Sequence, residues 1–243
     1  MNSTTRILGV DIRNVTKAQA IAMMDGWIRA RDHRPRQVFI VNAHTLNLAY
    51  TDAGYRNVLN AGDAVFGDGT GVRLAARLKG VRMVDNLVGT DLVPEFIEAT
   101  LPQAYSYFLL GGTQETAAKA AGCLEKLFAG IRIAGYHGGY INSEQSRGVV
   151  RTINDSGADV LLVAMGNPLQ ERWIYDHREQ LKVPVSIGVG GLFDHWAGNL
   201  KRAPLWVRRF GVEWLQILAQ QPGRKWRRYV LGNPAFLYRA LRG

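Results

Sequence analysis

Six short runs of β-branched, aliphatic and aromatic residues punctuate this chain, at 38–41, 64–66, 105–110, 131–136, 160–164 and 185–189. Several are apolar at every position, so both faces of the strand need covering. Parallel strands with helices packed above and below meet that demand. The expected fold class is therefore α/β, a Rossmann-like, mostly parallel sheet flanked by helices. Helical patterns fill the gaps: Thr16 followed by Gln19 reads as a capping box ahead of 20–30, and the same logic recurs at 113–128 and 143–154. Glycine clusters close the strands at Gly67-Asp68-Gly69, Gly111-Gly112, Gly138-Gly139, Gly166-Asn167-Pro168 and Gly188 to Gly191. Such turns gather at the carboxyl edge of an open α/β sheet, where ligands bind.

Beyond Asp194 the pattern changes. Pro204 is expected to open a helix running to about Gln221. Pro222-Gly223 breaks it before a last basic helical stretch, interrupted at Asn233-Pro234. Charge marks the same division. Residues 200–243 hold ten Lys/Arg (Lys201, Arg202, Arg208, Arg209, Arg224, Lys225, Arg227, Arg228, Arg239, Arg242) against the single acid Glu213, leaving 20 basic and 19 acidic residues for 1–199. Trp206, Phe210, Trp214, Trp226, Tyr229, Phe236 and Tyr238 are interleaved with these charges. Two units follow, an α/β core over 1–199 and a basic, aromatic, helical appendage over 200–243 that suits an anionic surface. A solvated helix pair with an ordinary core face has the same composition, and a nucleic acid would also attract the charge. No recognition helix, zinc finger or RNA-binding signature accompanies it, so no nucleic-acid partner is expected.

The one cysteine, Cys123, excludes an internal disulfide and fits a reducing compartment. No apolar run approaches the roughly 20 residues that span a bilayer, and the N-terminus carries Arg6, Asp11, Arg13 and Lys17 rather than a leader. Membrane contact is expected to be peripheral. Trp206 and Trp214 suit a subunit contact as well as an internal one, which leaves a homo-oligomer open.

The five histidines show no HExxH pattern, and no Cys/His cluster or Asp-x-Asp pair is present, so neither a metal nor a cofactor is expected. Gly67-Asp68-Gly69-Thr70-Gly71 lacks both the dinucleotide spacing and the Lys-Ser/Thr of a P-loop. Its acid is the informative member. On a glycine-flanked turn between strand and helix, the Asp68 carboxylate faces an open cleft, where partial burial would suit it to take a hydroxyl proton. Helix capping would account for an isolated Gly-Asp-Gly equally well. Thr45 and Asn47 follow the strand at 38–41 and could bind substrate or cap the next helix. Gln170 follows Pro168, which fits the first turn of a helix whose N-terminus would face an anion.

An ordered set of motifs runs through the chain: Thr45-x-Asn47, Asp68-Gly69-x-Gly71, Gly89-Thr90-Asp91, Gly111-Gly112, Gly135-Tyr136-His137-Gly138 and Gly166-x-Pro168-x-Gln170-Glu171. Gly188 to Asp194, Arg202-Ala203-Pro204-Leu205-Trp206, Gly211 to Leu215 and Pro222 to Tyr229 complete it. This set resembles the WecG/TagA/CpsF family, glycosyltransferase family 26, over almost the whole chain. The resemblance implies an inverting, metal-independent transferase of bacterial cell-envelope or exopolysaccharide assembly. Such an enzyme moves N-acetylmannosamine or a related hexose from a UDP-sugar to an undecaprenyl-diphosphate-linked sugar at the cytoplasmic face of the membrane. It implies Asp68 as general base, with Thr45, Asn47 and Gln170 positioning the substrates and Asp194 and the glycines before it, Gly191 among them, near the nucleotide. Gly69, Gly111, Gly112 and His137 lie in matching blocks and are expected to bind substrate. Arg224, Arg227 and Arg228 match appendage arginines that meet the diphosphate at the membrane. Two positions depart from the pattern: Asn86 stands where many members carry an arginine linked to activity, and Ile217 replaces a second arginine. Arg82 or Arg73 could supply the missing charge, or the donor differs, with UDP-glucose or a UDP-uronic acid as alternatives.

Overall fold

The computed structural model describes residues 3–204 and 213–242. Eight strands form one sheet: β1 (Ser3–Ile7), β2 (Val10–Asn14), β3 (Arg36–Val41), β4 (Ala64–Gly67), β5 (Ser106–Gly111), β6 (Arg132–His137), β7 (Val160–Ala164) and β8 (Val185–Gly188). Their order across the sheet is β1-β2-β4-β3-β8-β7-β5-β6. Only β1 and β2 pair antiparallel, and every other neighbour is parallel. The six apolar runs are the six strands β3 to β8; β3, β4, β5, β7 and β8 are buried along nearly their whole length, and the edge strand β6 is partly covered. The β1–β2 hairpin is an addition. It turns through Leu8 and Gly9, both at positive φ.

Helices cover both faces. Side chains alternate along β3: Val38 and Ile40 join one core cluster, and Phe39 and Val41 join the other. On the Val38 face lie α1 (Lys17–Ala30), α5 (Gly89–Thr100), α6 (Gln114–Leu127) and α9 (Leu192–Trp196). On the Phe39 face lie α2 (Ala43–Thr51), α3 (Ala53–Asn60), α4 (Thr70–Leu78), α7 (Ser143–Asp155) and α8 (Leu169–Asp176). The capping box of Thr16 and Gln19 starts α1, and Thr113 caps α6. Asn142, not Ser143, caps α7, because its carbonyl oxygen reaches the Gln145 N–H.

Among the described residues, three further helical pieces follow the core: α10 (Glu213–Gln220), α11 (Pro222–Trp226) and α12 (Gly232–Arg242), with a wider π-helical turn over Arg227–Leu231 between the last two. Pro222 breaks the path, as expected, by opening α11. Asn233-Pro234 does not interrupt the last helix. Pro234 sits in the first turn of α12, directly after the π turn, where a missing N–H is tolerated. The helix opening expected at Pro204, together with Trp206, Arg208, Arg209 and Phe210, lies outside the described residues.

Helix α12 packs against α2 and α4. Phe236 is wholly buried and Ala240 nearly so, within the same cluster as Phe39 and Val41. Burying one such aromatic stabilises by about 1.5–3 kcal/mol. A polar clamp reinforces the contact: Asn47 on α2 donates to the Gly232 carbonyl at 2.7 Å, and Arg239 donates to the Asn47 Oδ1 at 2.8 Å while lying over the Tyr50 ring. Among the described residues, no helix is long and apolar enough to cross a membrane.

Candidate active site

The strand order reverses between β3 and β8: β4 lies on one side of β3, and the later strands lie on the other. Above this switch point, at the carboxyl edge, two cavities sit side by side. The first, about 540 Å³, is walled by the turns after β3 and β4 (Asn42 to His44, Asp68 to Gly71), the start of α5, and residues 201–203 with α10 and α12. The second, about 1010 Å³, is walled by the turns after β5 to β8, through Gly112, Gly139, Gly166 and Gly190, and by the π turn. Among the described residues, His44 and Arg228 line both.

Asp68 stands at the first cavity on a rigid turn. Its own N–H bonds the Val41 carbonyl at 2.8 Å, and Gly69 follows with φ 91°, which a side chain would strain. The Gly69 N–H is held by the Asn86 Oδ1 at 2.8 Å. Asn86 thus has its carbonyl oxygen committed to fixing the turn. The Asp68 carboxylate accepts the Gly89 N–H at the start of α5. Burial pushes this carboxyl up to about 7. Glu213 and Asp91 add to the rise, and Arg228 and the Gly89 N–H oppose it. A carboxylate so poised alternates readily between proton acceptor and acid near neutral pH.

Neither Arg82 nor Arg73 reaches this cavity. Arg202 does, donating to the Thr90 Oγ1 at 3.1 Å and pairing with the Asp91 carboxylate. The segment that carries it is pinned to α10, where Gln220 accepts the Lys201 N–H at 2.9 Å and donates to the Lys201 carbonyl at 2.9 Å.

The second cavity has a different electrostatic character. Among the described residues, Lys225, Arg227, Arg228 and Arg239 face it against one acid, Asp194. Thr113 and Thr116, at the N-terminus of the fourteen-residue α6, add a helix end whose dipole favours an anion. The Arg228 Nε is buried and has no hydrogen-bond partner among the described residues. A diphosphate oxygen is the kind of acceptor that would satisfy it.

Of the residues singled out from sequence, Asp68 and Gly69 line the first cavity, and Asn47, Gly112, Gly191, Asp194, Arg227 and Arg228 line the second. Asn47 also has its amide engaged in the α12 clamp, and Asp194 accepts from Asn199 at 3.1 Å. Four line neither. Thr45 is wholly buried, since helix α2 begins at Ala43 and its period turns position 45 inward onto the Asn42 cap. Gln170 is 1% exposed, and its Oε1 accepts the Gly166 N–H at 3.2 Å and the Gly190 N–H at 3.0 Å. It acts on the second cavity through those backbone turns. Gly111 is required for packing: a Cβ there would stand 2.4 Å from the Ala164 carbonyl oxygen. The His137 ring hydrogen-bonds the Gly138 carbonyl at 2.7 Å. The Arg224 side chain lies outside the described residues.

Sequence reasoning missed Asn42 and His44, which take the cavity wall that Thr45 was expected to occupy. Asn42 caps α2, its Oδ1 accepting from the His44 and Thr45 N–H groups at 3.0 and 3.2 Å. The available signal was a capping asparagine directly after the apolar run that ends at Val41. Glu171, wholly buried beside Gln170, was also passed over as a site residue.

Comparison with known proteins agrees with the motifs. The profile of the glycosyl transferase WecG/TagA/CpsF family matches residues 5–243. An N-acetylglucosaminyldiphosphoundecaprenol N-acetyl-beta-D-mannosaminyltransferase of Bacillus subtilis (strain 168) is 32% identical over 202 residues, covering 83% of this chain and 77% of its own length. The protein of the same name from Staphylococcus aureus (strain NCTC 8325 / PS 47) is 32% identical over 209 residues, covering 86% of this chain and 82% of its own.

Proposed function

Because this chain belongs to the WecG/TagA/CpsF family and is a glycosyltransferase, we propose that it moves N-acetylmannosamine or a related hexose from a UDP-sugar to a polyprenyl-diphosphate-linked sugar, inverting the anomeric centre without a metal. The observation that carries this reading is the pairing of one carboxyl, raised to about 7, in the first cavity with a cation-lined second cavity alongside. In this reading the acceptor sugar enters the first cavity and UDP the second. The acceptor hydroxyl oxygen attacks the anomeric carbon from the Asp68 side and gives its proton to the Asp68 carboxylate. The bond from that carbon to the diphosphate oxygen breaks with its electron pair, and the charge gained by UDP is met by Arg227, Arg228 and the α6 N-terminus. Guanidinium groups then serve where other transferases use a divalent cation. Among these residues Arg228 touches both halves of the site, and Thr45 and Gln170 hold the turns rather than the sugars.

Asn86 favours a second donor reading. Its amide is neutral and its carbonyl oxygen is engaged with Gly69, so position 86 supplies no cation, and Arg202 is a guanidinium that lines the same cavity. UDP-glucose or a UDP-uronic acid therefore stands beside UDP-N-acetylmannosamine as candidate donor. The test is a panel of UDP-sugars offered with a short-chain polyprenyl-diphosphate-sugar acceptor. One donor is expected to release UDP only when the acceptor is present, at a rate unchanged by EDTA. Failure of every donor would end the transferase assignment of this site.

Membrane contact fits the outer side of the last helical pieces. Val230, Tyr238 and Leu241 are more than half exposed there, beside Arg242. Such a mixture seats on an anionic bilayer from the cytoplasmic side. Val230→Glu with Leu241→Glu is expected to abolish co-sedimentation with vesicles containing anionic lipid. Unchanged co-sedimentation would move the contact elsewhere.

A further inference from the structure

We propose that His44 is a substrate-contacting residue of the transfer: a neutral hydrogen-bonding group at the passage between the two cavities that holds a hydroxyl of the migrating sugar and helps select it. This deepens the glycosyl-transfer reading and rests on it. Geometry carries the argument. His44 is the second residue of α2, directly after β3, the strand at which the sheet order reverses. Its backbone N–H is pinned by Asn42, so the ring is aimed by a capped helix rather than by a loop. It and Arg228 are the two described residues that wall both cavities, and a sugar crossing from UDP to an acceptor has to pass that wall.

The chemistry of the ring suits that position. A neutral imidazole offers one donor and one acceptor, the same pair that a sugar hydroxyl presents. Displacement at an anomeric carbon builds positive charge on the sugar ring, so a cation touching it there would oppose the reaction. Burial, then Arg228 and Lys225, hold the imidazole down to about 4, so it stays uncharged at neutral pH. The group touching the sugar is thereby neutral, and the cations behind it remain directed at the leaving diphosphate. Asp68, on the neighbouring turn, keeps the proton-accepting role.

The experiment uses the full chain with the donor that the UDP-sugar panel selects. His44→Ala is expected to lower kcat/KM for the UDP-sugar about tenfold or more, the scale of one hydrogen bond to substrate. Inhibition by UDP alone should stay within about twofold of wild type, because UDP makes no use of this contact. His44→Gln, which keeps a donor and an acceptor, should recover most of the loss, and His44→Lys should fall below alanine. Relative rates across the UDP-sugar panel should also shift in the alanine variant. A His44→Ala enzyme with unchanged kcat/KM and an unchanged donor profile would overturn the proposal, and so would UDP affinity falling in step with kcat/KM. A wild-type chain that releases UDP from no donor removes the transfer reading itself, which separates that failure from a fault in the role of His44.

Discussion

Asp68→Asn is expected to cut turnover by a hundredfold or more, the scale of losing a general base. Its UDP affinity should stay close to wild type. Asparagine matches aspartate in shape and can still accept the Gly89 N–H, so the turn after β4 keeps its form, but the amide cannot take the proton of an attacking hydroxyl. The pH profile provides an independent check. A base works only when deprotonated, so wild-type kcat/KM should rise with pH as the Asp68 carboxyl ionises, level off above about 7, and lose this limb in the asparagine variant. Glu213 holds the carboxyl up by repulsion, so Glu213→Gln should move the limb to lower pH. Arg228 holds it down, so losing that guanidinium should move the limb to higher pH. An asparagine variant that turns over at the wild-type rate would remove Asp68 from the chemistry.

Glu171→Ala is expected to destabilise the fold by about 3–5 kcal/mol, read from the midpoint of urea denaturation. The Glu171 carboxylate is wholly buried and takes three donors: the Tyr55 hydroxyl at 2.9 Å, the Asn167 amide at 2.6 Å and the Gln170 amide at 2.6 Å. Burial raises its pKa, and the three donors oppose that rise. Alanine would leave all three donors without an acceptor, each at a cost of about 1–3 kcal/mol. Glu171→Gln should lose less, since its carbonyl still serves part of the set. The damage should also reach the second cavity, because Gln170 would lose its anchor and with it the grip on the Gly166 and Gly190 N–H groups. A variant within about 1 kcal/mol of wild type would show that those donors find other partners.

Much of the sheet was legible because β3, β5, β7 and β8 are buried on both faces, and such strands leave an unbroken apolar run. The β1–β2 hairpin was not, since its turn uses Leu8 at positive φ, where the usual asparagine or glycine signal is missing. The continuity of α12 through Pro234 depends on the π turn before it, which no local residue announces. In the site, Asp68 could be read because it carries a charged side chain between two glycines at the end of an apolar strand, where the backbone bends sharply and the residue comes to line the first cavity. Thr45 could not be placed correctly from spacing alone: whether a residue near a helix start faces ligand or core depends on which residue caps, and a shift of one position turns it by about 100°. Gln170 was read as bordering a ligand because it follows Pro168 in the expected first turn of a helix facing an anion. Its amide instead donates to the buried Glu171 carboxylate, which also accepts from the Tyr55 hydroxyl, more than a hundred positions earlier in the chain.

Helix α2 is a short strut with its two ends in different places. Its first turn carries His44 at the cavity divide, and its Asn47 is gripped by Gly232 and Arg239. Terminal helices borrowed from other members are therefore poor interchangeable cassettes for this scaffold. A graft lacking an arginine in register with position 47 would leave that strut unanchored, and its fault would surface as altered sugar choice as well as weaker attachment.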